Sequence, residues 1–249
     1  MNAVNIPVVI MAGGLLKPDM VAATGVTNRG MIPFRGTTML ETIAQTFRST
    51  PGIGGITVVG EVPESDLYAR VPDQGGFVDN LFTGLMASGA TDLVLIAACD
   101  APFLSCESIT DFITYARQLN VDIVYPVVPV AECTKLYPGM KRTAVPLKEG
   151  NVTGGNLMLF KPEFLMRQKD QIARAYGSRK SPLKLAGMLG LSVVARAIIT
   201  IFIVKGSLSI VPLEVAAGRL LGGKVKAYIS HYPEIATDVD KVSDLSALD

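Results

Sequence analysis

Residues 6–14 read IPVVIMAGG, a short apolar run stopped by a pair of glycines. The run does not alternate apolar with polar, as a strand with one wet face would. It reads as a strand buried on both faces, the signature of a parallel sheet inside an α/β domain. The same pattern returns at 92–100, DLVLIAACD, where the apolar run ends at Cys99-Asp100. Between and after these runs lie amphipathic segments. Residues 38–48 (TMLETIAQTFR) place Met39, Ile43 and Phe47 four apart, and 77–88 (FVDNLFTGLMAS) also reads as a helix. A further helix is expected over 105–118, with Ser105 as its cap. Residues 55–60 (GITVVG) and 122–128 (DIVYPVV) complete a strand–helix alternation. The expected class is α/β, three layers, with a mostly parallel mixed sheet covered by helices on both faces.

The second half is less regular. Strands at 143–147 (TAVPL) and 156–160 (NLMLF) flank the turn Lys148-Glu149-Gly150-Asn151, and 161–174 reads as a helix with proline in its first turn. A helix over 209–221 ends at Gly222-Gly223. It is followed by a strand at 224–229 (KVKAYI), a short strand near 235–239 and a helix from about Lys241. The simplest organisation is one domain over 1–249 with an apolar helical insertion at about 181–222. Hydrophobic residues make up 49% of the chain and charged ones 18%, against about 25% charged in an ordinary domain. Much of the surplus sits in 185–204 (LAGMLGLSVVARAIITIFIV), where Arg196 is the one charge. Three readings of this stretch stand open: helices packing on the sheet or forming a homodimer interface, a patch lying on a membrane surface, or a membrane-spanning helix. Its glycines and the central Arg196 argue against the last.

Lys and Arg total 23 and Asp and Glu 22, a net charge of +1, so no basic footprint for nucleic acid is present. Cys99, Cys106 and Cys133 lack CxxC spacing and imply neither a disulfide framework nor a zinc site. They read as small buried hydrophobes of a reducing cytoplasm. The one histidine, His231, is too little for a multi-His metal site and reads as a surface residue. The first residues lack a basic region and an A-x-A site, so they read as a first strand rather than a signal peptide. The expected location is the cytoplasm, with membrane association if 185–204 lies on a bilayer.

Ala12-Gly13-Gly14 ends the first strand, at the edge of an open sheet where ligands bind. Glycines there let backbone N–H groups approach phosphates, although an ordinary strand–loop turn uses them equally well. The dinucleotide fingerprint GxGxxG and the P-loop GxxxxGK[ST] are both absent. Asp100 follows an apolar strand and precedes Ala101-Pro102, a place where a hard carboxylate oxygen suits Mg²⁺. Asp238 and Asp240, two apart in an extended segment, point the same way, and either can complete a metal site with Asp100. Asp244 reads as a helix-terminal or surface charge. Gly154-Gly155-Asn156 opens a strand. Two glycines beside an amide permit close approach to a ligand, or form a hairpin turn.

Five segments then combine: VVIMAGG; Asn28-Arg29-Gly30-Met31-Ile32-Pro33-Phe34-Arg35-Gly36 with Met39-Leu40-Glu41; AACDAPFL around Asp100; NVTGGN; and DVDKVSDL. In order and spacing they resemble the nucleotidyltransferase superfamily that includes molybdenum-cofactor guanylyltransferase, and more closely its MobA-like NTP transferase domain members. The resemblance implies a Rossmann-like sheet of the glycosyltransferase-A, nucleotide-diphospho-sugar transferase type, with an NTP over Ala12, Gly13 and Gly14. It implies Mg²⁺ on Asp100. By likeness to sugar cytidylyltransferases Asp240 is the second ligand, with Asp238 as the alternative. The implied reaction is attack of an acceptor phosphate or hydroxyl on the α-phosphorus, with pyrophosphate leaving. Such chemistry needs charge neutralisation and in-line positioning.

Arg29 stands where many relatives carry a phosphate-binding lysine, and the loop Leu15-Leu16-Lys17-Pro18-Asp19 is longer than theirs and lacks their arginine. Lys17 is the cation that this loop offers to the triphosphate. Asn80 falls where relatives contact base or ribose, Gly155 and Asn156 near the acceptor or ribose. Arg179 and Lys180 are candidates for an anionic acceptor, against the reading of a solvated loop. The expected partners are an NTP and a small-molecule phosphate acceptor. Two rival classes are a nucleotide-binding regulator without catalysis and a nucleotide-sugar glycosyltransferase.

Overall fold

The computed structural model describes residues 5–178 and 208–248. The candidates Arg179 and Lys180, the run 185–204 and much of the expected insertion at 181–222 lie outside the described residues.

In chain order the elements are β1 (Ile6–Met11), α1 (Pro18–Thr24), β2 (Pro33–Phe34), β3 (Thr37–Thr38), α2 (Met39–Ser49), β4 (Ile53–Val59), β5 (Ala69–Val71), α3 (Phe77–Ser88), β6 (Val94–Ala98) and α4 (Cys106–Arg117). There follow β7 (Ile123–Pro129), α5 (Val130–Leu136), β8 (Val145–Leu147), β9 (Gly150–Gly154), β10 (Leu157–Phe160), α6 (Pro162–Arg167), α7 (Lys169–Ser178), α8 (Ile210–Leu221) and β11 (Val225–Ile229). Among the described residues the main sheet has nine strands in the order β5-β4-β1-β6-β10-β7-β9-β8, with β11 pairing β7. On one side β5, β4, β1 and β6 run parallel. On the other, β10 enters antiparallel between β6 and β7, β9 pairs antiparallel with β7 and β8, and β11 lies parallel to β7.

The unbroken apolar strands have a plain cause. In β1, Val8 and Ile10 meet Ile43 and Phe47 of α2 and Phe112 of α4 on one face, while Val9 meets Leu81 and Leu85 of α3 on the other. Strand β6 divides likewise, Leu95 and Ala97 to the first face, Val94 and Ile96 to the second. Each fully buried side chain of this kind contributes about 1.5–3 kcal/mol. The result is the expected three-layer α/β/α arrangement around a mixed sheet. Helix α2 begins with a capping box between Thr38 and Glu41, and α4 begins at Ser105, whose hydroxyl accepts from the Ser108 N–H.

Some elements differ from the expectations. The helix expected over 161–174 is broken at Gln168 into α6 and α7. The strand expected near 235–239 is replaced by a 3-10 turn at Pro233–Ala236 followed by irregular chain. The final helix is a 3-10 turn at Val242–Ala247. No helix of the described residues is long and apolar enough to cross a membrane.

Candidate active site

The carboxyl ends of β1 and β6 lie side by side, so the loops that leave them meet. At the first, the buried Ala12 is fixed by its carbonyl, which accepts from Asn28 Nδ2 at 2.7 Å, and by its N–H, which donates to the Val59 carbonyl at 2.8 Å. Gly14 has φ +88°, a conformation that costs a side chain strain. At Gly13 any Cβ would run into the Asn80 amide. The Gly14 N–H points at Asp73 Oδ2, 2.9 Å away, and Asp73 Oδ1 accepts from Asn80 Nδ2 at 2.9 Å and from the Gly75 N–H at 2.8 Å. The Gly14 N–H, then the Asn80 amide and the Gly75 N–H, hold the Asp73 carboxyl below its ordinary range. Lys17 is exposed at the start of α1.

Asn28 joins this loop to the second cluster. Its amide donates to Ala12 while its Oδ1 accepts from the Gly30 N–H at 2.9 Å, fixing the 3-10 turn Arg29–Met31. From that turn Arg29 Nη1 reaches Asp100 Oδ2 at 2.5 Å and Asp240 Oδ1 at 2.7 Å. Asp100, 8% exposed, stands just past β6. Its carbonyl accepts from the Val239 N–H at 2.9 Å, which fastens the C-terminal segment across the strand end. Asp238 turns to Arg142, Nη1 to Oδ1 at 2.7 Å, and the same Nη1 lies 3.2 Å from the Asp238 carbonyl. Carboxylate oxygens of Asp100, Asp238 and Asp240 all fall within 4.8 Å of one another. Asp100 Oδ1 and Arg142 Nε are buried without a hydrogen-bond partner.

Electrostatics follow from this crowding. Burial raises the Asp100 pKa, only partly offset by the Arg29 charge and hydrogen bond. Burial, then the charge of Asp100, raises Asp238 against the opposing pull of Arg142. Burial alone would lower Arg29, but Asp100 and then Asp240 hold it above its usual value. Burial, then the Asp100 charge, pushes the neighbouring Cys99 thiol up to about 12, so it stays an inert packing group.

Asn156 lies just before the neighbouring antiparallel strand, β10. Its N–H donates to the Ile235 carbonyl at 2.8 Å and its carbonyl accepts from the Ala98 N–H at 3.0 Å, while Nδ2 is buried without a partner. The Gly155 N–H donates to the Pro126 carbonyl at 2.9 Å, and a side chain at Gly155 would collide with Pro126 and Ile235. The chain's own backbone therefore makes the close approach at that glycine.

Of the residues singled out in the sequence, Arg29, Asp100 and Asp240 meet in one ion-paired cluster, and Ala12, Gly13, Gly14 and Asn80 in an adjoining one. Asp73 and Arg142 carry no sequence signal: both lie in loops without periodicity, and only the fold brings them to Gly14 and Asp238.

The chain matches the MobA-like NTP transferase domain over residues 8–184. No protein of curated function matches it by sequence. Among solved structures it is similar to a hypothetical transferase from Thermus thermophilus, at 30% identity and TM-score 0.86 over 97% of this chain and 99% of that one. It shares its fold with a CMP:2-keto-3-deoxy-manno-octonic acid synthetase complexed with CTP, at 9% identity and TM-score 0.58 over 98% of this chain and 96% of that one. It also shares it with a 2-C-methyl-D-erythritol 4-phosphate cytidylyltransferase from Thermus thermophilus, at 18% identity and TM-score 0.55 over 98% and 97% of the two chains. A domain match over well more than half its length, on a nucleotidyltransferase fold, makes this chain a member of the MobA-like NTP transferase domain family and an enzyme of the nucleotidyltransferase class.

Proposed function

We propose that the enzyme transfers a nucleoside monophosphate from an NTP to a phosphorylated small molecule in a Mg²⁺-dependent reaction that releases pyrophosphate. The observation that carries this reading is the convergence of Asp100, Asp238 and Asp240 at the carboxyl end of β6, with Asp100 Oδ1 buried and unpartnered. An all-carboxylate oxygen set with one vacant buried lone pair fits Mg²⁺ better than a softer ion. Asp100 and Asp240 are its proposed ligands by likeness to sugar cytidylyltransferases, with Asp238 as the alternative; Arg29 pairs with the first two and Arg142 with the third. When bound, the ion neutralises phosphate charge.

The chain's own groups have separate tasks. Gly13 and Gly14 carry the triphosphate on backbone N–H groups, the Gly14 N–H giving up Asp73 to do so, while Ala12, its N–H held by Val59, fixes the loop that presents them, and Asn80 flanks the base or ribose. Arg29 trades its carboxylates for phosphate oxygens, which its planar fork binds in pairs. Lys17 closes over the phosphates from α1. Gly155 and Asn156 orient the acceptor, and Arg179 with Lys180 remain candidates for its anionic end. An acceptor oxygen attacks the α-phosphorus, the bond to the bridging oxygen breaks, and pyrophosphate leaves with that bond's electrons.

The test is pyrophosphate release with Mg²⁺ and each of CTP, GTP, ATP and UTP against a panel of phosphorylated acceptors. Asp100→Ala should lower the rate at least a hundredfold, roughly the loss seen when one preorganised electrostatic group is removed. Release that survives in Asp100→Ala would move the metal site elsewhere. NTP binding with no release across the panel would refute transfer to these acceptors.

A further inference from the structure

On the second face of the sheet, the helices do not close fully onto the strands. Between them lies a cavity of about 480 Å³, walled by Met11, Ile96 and Met158 from the sheet, Leu81 from α3, Ile172 from α7 and Leu221 from α8. The Phe77 ring, stacked on Tyr176 with centroids 4.5 Å apart, also lines it. The volume is that of a small-molecule site, about 300–1,000 Å³. Cavities lined by hydrocarbon stay dry and accept apolar guests.

The cavity is apolar almost throughout, and one end lies by the strand end that precedes Asp100. Ala98, two residues before Asp100, lines it, as do Gly155 and Asn156. Asn156 Nδ2 is buried and has no hydrogen-bond partner. Tyr125, also in the lining, has its hydroxyl beside Gly154 and lies within the field of Asp238. That end adjoins the strand end that leads to Asp100, and the far end runs back between α7 and α8. A compact, fully polar phosphate would leave the far end empty. The α8 wall lies beyond residue 184, where the family match ends.

We infer that the cavity takes an apolar body of the acceptor, so that the substrate is an amphiphilic phosphate, its head at Asn156 and its hydrocarbon part against α3, α7 and α8. This rests on the transferase reading of the adjoining site. The test is calorimetric binding of decyl phosphate, below its micellar concentration, against ethyl phosphate, without NTP. Wild type should bind the decyl compound about tenfold tighter or more, as each buried methylene adds affinity. Ala175→Phe on α7 and Ala217→Phe on α8, each projecting a ring into the cavity, should erase the difference while NTP binding and thermal unfolding show the fold intact. Equal affinities in wild type, or a preference that survives in a folded filling variant, overturn the inference. If both variants fail to fold, the wild-type comparison decides alone. Pyrophosphate release with both phosphates separates the two readings. Release driven equally well by ethyl phosphate overturns the apolar subsite and leaves the transferase standing. A decyl preference with no release from any NTP removes the acceptor role and leaves an amphiphile pocket.

Discussion

Arg29 is the cation that meets Asp100 and Asp240 in the carboxylate cluster. Its Nη1 bridges Asp100 and Asp240, so part of the charge of the ligand-free site is offset from within. Removing the guanidinium leaves carboxylates within 4.8 Å of one another, and Arg142 is already committed to Asp238. Like charges this close disfavour joint ionisation. Arg29→Ala should lower stability by about 1–3 kcal/mol, the cost of losing a hydrogen bond between charged groups at a partly exposed site. Adding Mg²⁺ without NTP should then raise the variant's thermal midpoint while leaving wild type nearly unchanged. A variant indifferent to Mg²⁺ would mean that Asp100 and Asp240 do not form a cation site. Asp73 allows a pH test. Hydrogen bonds from Gly14, Asn80 and Gly75 depress its folded pKa. The stability it supplies is therefore fully present above the ordinary carboxylate value, about 4, and is lost as pH falls through the lower folded value. Asp73→Asn should be less stable than wild type at neutral pH, and the gap should close toward acid. Urea midpoints across that range read it directly, and a gap that widens on acidification would contradict the hydrogen-bond assignment.

Among the elements, those with local signals were readable and those set by distant partners were not. Thr38 with Glu41 three residues on, and Ser105 before an amphipathic run, are start signals written within a few residues, and α2 and α4 begin there. Thr38→Ala removes the acceptor for the Glu41 N–H. It should cost about 1 kcal/mol and lower the thermal midpoint by about 2–4 °C. No measurable change would show that tertiary packing alone holds α2. The expected strand near 235–239 fails for the opposite reason. The Ile235 carbonyl accepts from Asn156 and the Val239 N–H donates to Asp100, so the segment bonds to a strand end and a loop rather than along a ladder. Its alternating apolar residues reflect burial against those partners. Helix α1 also escaped notice, since seven residues following Lys17 carry little periodicity.

At the scale of the whole molecule, the site is assembled from chain segments that the sequence keeps far apart. Asp100 and Arg29 are 71 positions apart, and Asp240 arrives from the C-terminal segment pinned by Val239. The sequence placed Gly13, Gly14 and Asp100 at strand carboxyl ends because parallel order sends those ends to one edge. It could not show which cation meets which carboxylate, because that depends on β10 entering between β6 and β7 and carrying Asn156 toward Ile235. This assembly has a measurable consequence. If an NTP with Mg²⁺ draws on all of these segments at once, hydrogen exchange should slow together at 12–14, 28–30, 99–101 and 237–241, through the coupling of ligand binding to local opening. The slowing should need nucleotide and metal together, and in Asp240→Asn it should shrink at 237–241 while persisting at 12–14. Protection confined to 12–14 in wild type would mean that the glycine loop binds nucleotide while the carboxylate cluster serves structure alone. Arg29 would then be a structural counter-ion, and catalysis would have to draw on other groups.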